Sequence, residues 1–259
     1  MTPPTRLPPQ SEPPLSPRLT LPTMYDLPSE DPEEPGLPDE FHLYQPQLLR
    51  ETFQPPQWQQ DEVFSGADLN LYYDLRHPGW YKRPDWFGVV GVPRLYDGRE
   101  LRLSYVIWQE QVSPFVVVEL LSPGTEAEDL GESVREPGSP PTKWQVYEQI
   151  LRVPYYIVFS RYTDQIQAFH LMGGHYETAE LTDEGLPIPE LGLILGLWRG
   201  RYQNIDRLWL RWLTASGDLI LTPSEQAVAA SQQAAAAEER AERLAAKLRE
   251  LGIDPDQVT

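Results

Sequence analysis

A run of apolar residues interrupted by one carboxylate sets the strongest limit on the structure of this chain. Residues 115–121 read FVVVELL, and Glu119 is the single charged side chain in the run. Successive apolar positions are typical of a strand that is buried on both faces of its sheet. An ionised carboxylate there is costly unless a cation compensates it. We therefore expect Glu119 to have a cationic partner, either a lysine or a divalent metal ion shared with a second carboxylate.

Lys143 is the candidate lysine, because it lies at the start of a predicted helix. A T-x-x-Q capping box that begins at Thr142 predicts a helix ending near Arg152. Lys143 then shares a helix face with Tyr147 and Ile150, which we expect to pack on the sheet. The alternative is that the lysine stem crosses the sheet edge and places its ammonium in water.

Asp85 is the candidate second carboxylate, since it opens a short apolar segment, residues 86–90, that reads as a strand. Asp129 could approach a metal ion or Lys143, but an acidic residue in a polar loop is more often simply solvated. Two further acids, Asp68 and Asp74, flank an alternating strand pattern and could offer a third carboxylate.

Four motifs follow one another along the chain: RPDW at 83–86, VVVELLSPGT at 116–125 with EDLG at 128–131, TKW-x-VYE at 142–148 and RVPYYIVF at 152–159. Each motif is weak by itself, but the succession is fairly specific. Over roughly residues 63–200 it resembles the Uma family of bacterial putative restriction endonucleases, a branch of the PD-(D/E)xK nuclease-like superfamily.

The resemblance implies a restriction-endonuclease-like α/β (α+β) fold, in which helices flank a mixed sheet, and a metal-dependent nuclease site. Asp85 and Glu119 match the two acidic positions that hold Mg²⁺ (or Mn²⁺), and hard oxygen ligands suit that ion. Lys143 would be the third catalytic residue and would act from the helix. The superfamily places its lysine two residues after the glutamate, where this chain has Leu121.

The proline distribution predicts the domain organisation. More than half of the 28 prolines lie in the first sixty residues, which cannot form a core alone. We expect residues 1–40 to be a disordered Pro-rich arm, extended segments to continue beyond it, and apolar residues to return from about Phe41. Residues 41–221 would form the nuclease-like domain, whose second half reads as a β meander. Residues 222–259 would form a helical tail.

The tail begins with Thr222 as a predicted N-cap and Glu225 three residues later, and an alanine-rich helix can continue to Leu251. Leu244, Leu248 and Leu251 form one stripe on it. Two interpretations compete, a solvated tail and a coiled-coil or docking helix. We favour a protein partner or a homodimer through this helix.

Charge and hydropathy limit the partners. No apolar run approaches the roughly 18 residues of a membrane span, so no membrane partner is expected. With no cysteine, the cytoplasm is the default location.

The net charge of −18 disfavours non-specific binding to DNA, although a local basic groove around Asp85 could still bind it. The residues that could form that groove, or an ordinary solvated surface, are Arg76, Lys82, Arg83, Arg94, Arg99 and Arg102.

Two functions from different classes remain open. The first is a Mg²⁺-dependent endonuclease in which Asp85, Glu119 and Lys143 are catalytic and the two acids bind the metal. The second is a non-catalytic scaffold or protein-interaction module on the same fold, in which Glu119 and Lys143 form a buried ion pair.

Overall fold

The structure, a computed structural model, describes residues 39–122, 126–133, 135 and 138–251. The chain divides into two units, Met1–Leu43 and Tyr44–Thr259. In the described part of the first unit, Oδ1 of Asp39 accepts hydrogen bonds from the backbone N–H groups of Phe41 and His42 and so caps a helix start. The predicted Pro-rich arm lies almost entirely outside the described residues.

Helices are few and mostly short in the part of the chain that the structure describes. They are α1 (Phe41–Thr52), α2 (Ile107–Glu110), α3 (Glu126–Asp129), α4 (Lys143–Gln145) and α5 (Pro223–Glu250), with a 3₁₀ turn at Gln60–Glu62 and a π-helical turn at Val146–Ile150.

Helix α1 corrects the expectation of extended chain throughout the first sixty residues. Leu48 and Leu49 of this helix are fully buried. The Gln45 side chain exchanges two hydrogen bonds with the backbone of Leu210, at 2.8 and 2.9 Å. These tertiary contacts hold the segment helical although it contains Pro46.

Twelve strands lie in the described residues: β1 (Val63–Gly66), β2 (Leu71–Tyr72), β3 (Tyr81–Lys82), β4 (Trp86–Val90), β5 (Tyr105–Val106), β6 (Val116–Leu120), β7 (Tyr155–Ser160), β8 (Gln165–Met172), β9 (His175–Thr178), β10 (Leu186–Ile188), β11 (Leu193–Tyr202) and β12 (Ile205–Thr214).

These strands form three sheets. The largest has six strands in the order β1-β4-β6-β7-β8-β9, with β6 and β7 parallel and the other neighbours antiparallel. Strands β10, β11 and β12 form an antiparallel sheet, and β3, β2 and β5 form a small mixed one. The predicted mixed sheet, few flanking helices and long C-terminal helix are confirmed, as is the meander β7-β8-β9.

Strand β6 is the centre of the large sheet, and all five of its residues are buried. Its neighbour β4 has the fully buried Trp86, which packs against Phe53 and Trp212 with ring centroids 5.1 and 5.8 Å apart. Val117, on the same face of β6 as Glu119, belongs to a core cluster that includes Tyr147. Burial of both faces explains the apolar run in the sequence.

Helix α4 begins as predicted, because Thr142 and Gln145 form the capping box with hydrogen bonds of 3.2 and 3.1 Å. The π-helical turn that follows was not anticipated. It adds a residue to the turn, so that Leu151 N–H donates to the Val146 carbonyl at 2.8 Å. Consequently the predicted face is broken: Tyr147 is buried beside the sheet, whereas Ile150 is 44 % exposed.

Helix α5 also begins as predicted, with a capping box between Thr222 and Glu225. None of its residues is buried. The predicted stop signals, Gly252 and Pro255, lie outside the described residues. Among the residues that are described, no helix is both long and apolar enough to cross a membrane.

Candidate functional site

The antiparallel pairing of β4 and β6 brings Asp85 and Glu119 together. Trp86 pairs with Val118, so the preceding Asp85 lies beside Glu119. The Leu120 N–H donates to Oδ2 of Asp85 at 2.6 Å, and the Asp85 N–H donates to Oε2 of Glu119 at 3.3 Å. A backbone N–H of each segment therefore orients the carboxylate of the other, and both carboxylates lie at the same point of the sheet.

Lys143 reaches the same point from the start of α4. Its Nζ lies 3.1 Å from Oε2 of Glu119 and donates a hydrogen bond of 2.7 Å to Oδ1 of Asp129. Glu119 is fully buried and the Asp129 side chain is only 2 % exposed. The ammonium therefore lies between two buried carboxylates, and the alternative that placed it in water does not describe this structure.

Two tyrosines outside the predicted site residues complete the cluster. The Tyr147 hydroxyl donates to Oε1 of Glu119 at 2.9 Å, and the Tyr156 hydroxyl donates to the Asp129 carbonyl at 2.8 Å. The available signal was the spacing in TKW-x-VYE, which places Tyr147 four residues after Lys143. Both oxygens of Glu119 thus have protein donors.

The cluster has three carboxylates and one contacting ammonium. Burial raises the pKa of Glu119 to about 8; Lys143 and the Tyr147 hydroxyl oppose this rise, and the negative charges of Asp129 and Asp85 add to it. Burial alone would lower the pKa of Lys143, but the carboxylates of Glu119, Asp129 and Asp85 outweigh burial and raise it. The lysine is therefore charged at neutral pH, whereas most of the Glu119 carboxyl still holds its proton there.

Glu128 fixes the start of α4 from the neighbouring helix α3. Its Oε1 accepts hydrogen bonds from the Lys143 N–H at 3.0 Å and from Nζ of Lys82 at 3.3 Å, and Arg135 binds Oε2 at 2.7 Å. Burial opposes ionisation, yet these bonds and cations lower the pKa of Glu128 below its ordinary value. Gly131, which follows α3 with a φ of +77°, lies against the ring of Trp144, where a Cβ atom would be 2.8 Å from it.

Most of the predicted basic stretch is already paired with carboxylates. Four of its six members lie in ion pairs: Arg76 with Asp74 (3.3 Å), Lys82 with Glu128 (3.3 Å), Arg83 with Asp68 (3.6 Å) and Arg102 with Glu110 (2.7 Å). Asp68 and Asp74, which could have offered a third carboxylate, are thus engaged by arginines. The third carboxylate at Lys143 is Asp129.

The donor chemistry fits a hard divalent cation, although the ligands are few. Among the described residues, no group of three His, Cys, Asp or Glu side chains is arranged as a metal-binding set. Asp85 and Glu119 form a pair of carboxylates, and Mg²⁺ is commonly held by one or two carboxylates together with water and substrate phosphate.

Comparison with known proteins assigns this chain to a protein family. The profile of the Uma2 family, described as "Putative restriction endonuclease", matches residues 19–205. No curated protein matches the chain. A crystal structure of a putative nuclease of the DUF820 family from Anabaena variabilis aligns with 11 % identity and a TM-score of 0.35, over 51 % of this chain and 63 % of that one. The chain thus covers less than two thirds of that relative. On the family match, which spans most of its length, this chain belongs to the Uma2 family of putative restriction endonucleases.

Proposed function

We propose that this protein is a Mg²⁺-dependent endonuclease that hydrolyses phosphodiester bonds in nucleic acid. The observation that carries the proposal is the buried cluster at the β4–β6 pair, where one ammonium contacts two carboxylates and a third adjoins them. Asp85 and Glu119 would hold the metal ion. Family membership supports the reaction class.

Each residue of the cluster has a role in this proposal. When bound, a divalent ion would polarise the scissile phosphodiester and lower the pKa of a bound water. Lys143 would orient the attacking water and stabilise the negative charge that develops on the phosphate. Asp129 holds the ammonium in place, and the Tyr147 hydroxyl orients the Glu119 carboxylate. During hydrolysis the water loses a proton and the leaving oxygen gains one.

Titration calorimetry with Mn²⁺ tests the metal site directly. We expect one site in the wild type that is lost in Glu119→Gln and in Asp85→Asn. The matched control is Glu132→Gln, which removes the same charge from an exposed residue near α3 and should leave binding unchanged. If all four proteins bind Mn²⁺ alike, the ion does not use this pair.

A cleavage assay tests the reaction. Labelled duplex DNA, single-stranded DNA and RNA are incubated with Mg²⁺ or Mn²⁺ and with each purified variant. The proposal predicts cleavage that needs the metal and is lost in Glu119→Gln and in Lys143→Met. Cleavage that survives both substitutions would come from a contaminating nuclease or from another site, and it would contradict the proposal.

One observation favours the second candidate, a non-catalytic scaffold or protein-interaction module. Four cations of the stretch around Asp85 are neutralised within the protein, and the chain has a net charge of −18. Such a protein would not collect nucleic acid by non-specific attraction. In this function Lys143 compensates Glu119 structurally, and the wild type would show neither the Mn²⁺ site nor cleavage.

A further inference from the structure

Glu128 contacts more positive charge than it neutralises. Its Oε1 accepts a hydrogen bond from Nζ of Lys82 at 3.3 Å, and its Oε2 accepts one from Nη2 of Arg135 at 2.7 Å. The pKa of Glu128 lies below its ordinary value, because the hydrogen bonds and cations around it outweigh its burial. One carboxylate thus faces two cations, and one positive charge remains in excess.

The two cations differ in their exposure to solvent. The Lys82 side chain is 11 % exposed, whereas the Arg135 side chain is 45 % exposed. In the described part of the chain, Arg135 makes one hydrogen bond, to Glu128. A guanidinium has five N–H donors, so most of those of Arg135 can bind a further acceptor. Lys82 is therefore the buried counter-ion of Glu128, and Arg135 supplies the excess charge at the surface.

This excess charge lies beside the candidate site. Oε1 of Glu128 also accepts the backbone N–H of Lys143 at 3.0 Å, so one carboxylate separates Arg135 from the start of α4. The Lys143 ammonium in turn contacts Glu119 at 3.1 Å. Side-chain exposure increases from Glu119, which is fully buried, through Lys143 at 21 %. The contacts therefore lead from the buried carboxylate of Glu119 to solvent at Arg135.

The pKa of Lys82 reflects how close these cations are to one another. Burial lowers this pKa and Glu128 opposes the effect, but the charges of Arg135 and Lys143 lower it further. The three cations are thus close enough to repel one another. An anion that approaches them from solvent would be stabilised.

We propose that Arg135 binds a backbone phosphate of the nucleic acid next to the scissile bond, an inference that rests on the proposed endonuclease function. Because each nucleotide carries a phosphate, a phosphodiester bound at Asp85 and Glu119 brings neighbouring phosphates close to the site. A planar guanidinium can donate to two oxygens of one phosphate. Glu128 holds Arg135 beside α4, and Lys82 cancels the negative charge of Glu128, which would otherwise repel the substrate. A chain with a net charge of −18 thereby gains a local cation for its substrate.

Fluorescence anisotropy of labelled oligonucleotides tests this contact. Duplex DNA, single-stranded DNA and RNA are each titrated with the full chain, with Ca²⁺ in place of Mg²⁺ to limit cleavage. Arg135→Gln should weaken the tightest of the three complexes by about tenfold, as expected for a hydrogen bond between charged groups. It should also reduce the slope of log affinity against log salt concentration by about one.

The matched control is Arg243→Gln, which removes the same charge from α5. Arg243 is 69 % exposed and lies near Glu239, at 3.9 Å. This substitution should leave both the affinity and the salt slope close to those of the wild type. Arg135→Lys keeps the charge but not the planar group, so it should restore the salt slope and only part of the affinity.

Mn²⁺ calorimetry separates phosphate binding from a structural effect. Arg135→Gln should still bind one Mn²⁺, because Arg135 contacts Glu128 and not the proposed metal ligands. Loss of the Mn²⁺ site in Arg135→Gln would overturn the inference, since the substitution would then disturb the site itself.

The outcomes also separate this inference from the endonuclease proposal. If the wild type binds Mn²⁺ and cleaves nucleic acid but Arg135→Gln keeps the wild-type affinity and salt slope, Arg135 does not bind phosphate and the endonuclease function stands. Equal weakening by Arg135→Gln and Arg243→Gln would lead to the same conclusion. A wild type that neither binds nor cleaves any of the three oligonucleotides overturns both proposals.

Discussion

The ammonium of Lys143 lies 3.1 Å from Oε2 of Glu119, in the interior of the large sheet. The cation that contacts Glu119 comes from helix α4, while Leu121 occupies the position two residues after Glu119 in the chain. Nζ also binds Asp129 at 2.7 Å, so the cation is fixed from two sides. Lys143 is therefore central to either function, as a catalytic cation in a nuclease or as a structural counter-ion in a scaffold.

Metal affinity should depend on pH through Glu119. Its pKa is raised to about 8 by burial, so at lower pH a bound metal ion must displace a proton. The apparent Mn²⁺ affinity should rise by up to about tenfold per pH unit between about pH 6 and pH 8 and then level off. Calorimetry in buffers of different ionisation enthalpy would also report the released proton. A constant affinity over this range would contradict the assignment of Glu119 as a ligand.

The stability of the metal-free protein should move in the opposite direction with pH. The folded pKa of Glu119 lies above its ordinary value of 4.5. The folded state therefore binds the proton more tightly, and this contribution to stability is present below about pH 4.5 and is lost as pH rises towards 8.

Urea denaturation followed by tryptophan fluorescence measures this loss. Relative to Glu119→Gln, which does not titrate there, the wild type should lose a few kcal/mol of unfolding free energy from about pH 5 to about pH 8, at up to about 1.4 kcal/mol per unit. If the unfolding free energies of the wild type and of Glu119→Gln changed with pH in parallel, Glu119 would have an ordinary pKa in the folded protein.

Removing the Lys143 ammonium should be strongly destabilising. Lys143→Met leaves Glu119 and Asp129 buried without their contacting cation, at a cost of about 3–5 kcal/mol near pH 8. The cost should shrink near pH 5, because Glu119 is protonated at that pH and no longer carries an uncompensated negative charge. The double variant Lys143→Met/Glu119→Gln should recover part of the loss. Denaturation curves in which the two substitutions simply add would contradict a direct pairing.

Tyr147 and Tyr156 offer a matched pair of hydroxyl deletions. Both hydroxyls are hydrogen-bonded and buried, so Tyr147→Phe and Tyr156→Phe should each cost about 1–2 kcal/mol in urea denaturation. Only Tyr147→Phe removes a donor from Glu119, so only this variant should change Mn²⁺ affinity. Equal effects on Mn²⁺ binding would mean that Tyr147 does not position the carboxylate.

The buried guanidinium of Arg211, on β12, binds both carboxylate oxygens of Glu225 in the first turn of α5. The attachment of this helix to β12 should therefore depend on Glu225 more than on any other acid of the helix. Glu225→Gln leaves the buried guanidinium of Arg211 without its counter-charge, and we expect a loss of about 2 kcal/mol. The pKa of Glu225 lies below its ordinary value: burial opposes this, and the bond to Arg211 outweighs it. The ion pair between Arg211 and Glu225 is therefore intact above the ordinary pKa of a glutamate, and it is lost as pH falls through the lowered pKa of Glu225. Glu242→Gln, an exposed acid of the same helix, is the control for chemical denaturation.

The sequence alone determined those helices and strands whose signals come from residues close together in the chain. The apolar run at residues 115–121 predicted the buried strand β6, and capping boxes at Thr142 and Thr222 predicted the starts of α4 and α5. The need for a cation at Glu119 also followed from the sequence, because burying a charge costs free energy in any fold. The capping box and the short apolar segment singled out Lys143 and Asp85, and the family resemblance then implied their roles.

Only the tertiary structure decided which groups meet. The register of β4 against β6 sets Asp85 beside Glu119, and the π-helical turn keeps Tyr147 on the sheet while it exposes Ile150. The choice of Asp129 over Asp68 and Asp74 as the third acid, and the helix at residues 41–52, likewise depend on contacts between segments distant in the chain. Periodicity describes one element at a time, whereas the pairing of strands and the packing of helices on them fix distances between elements.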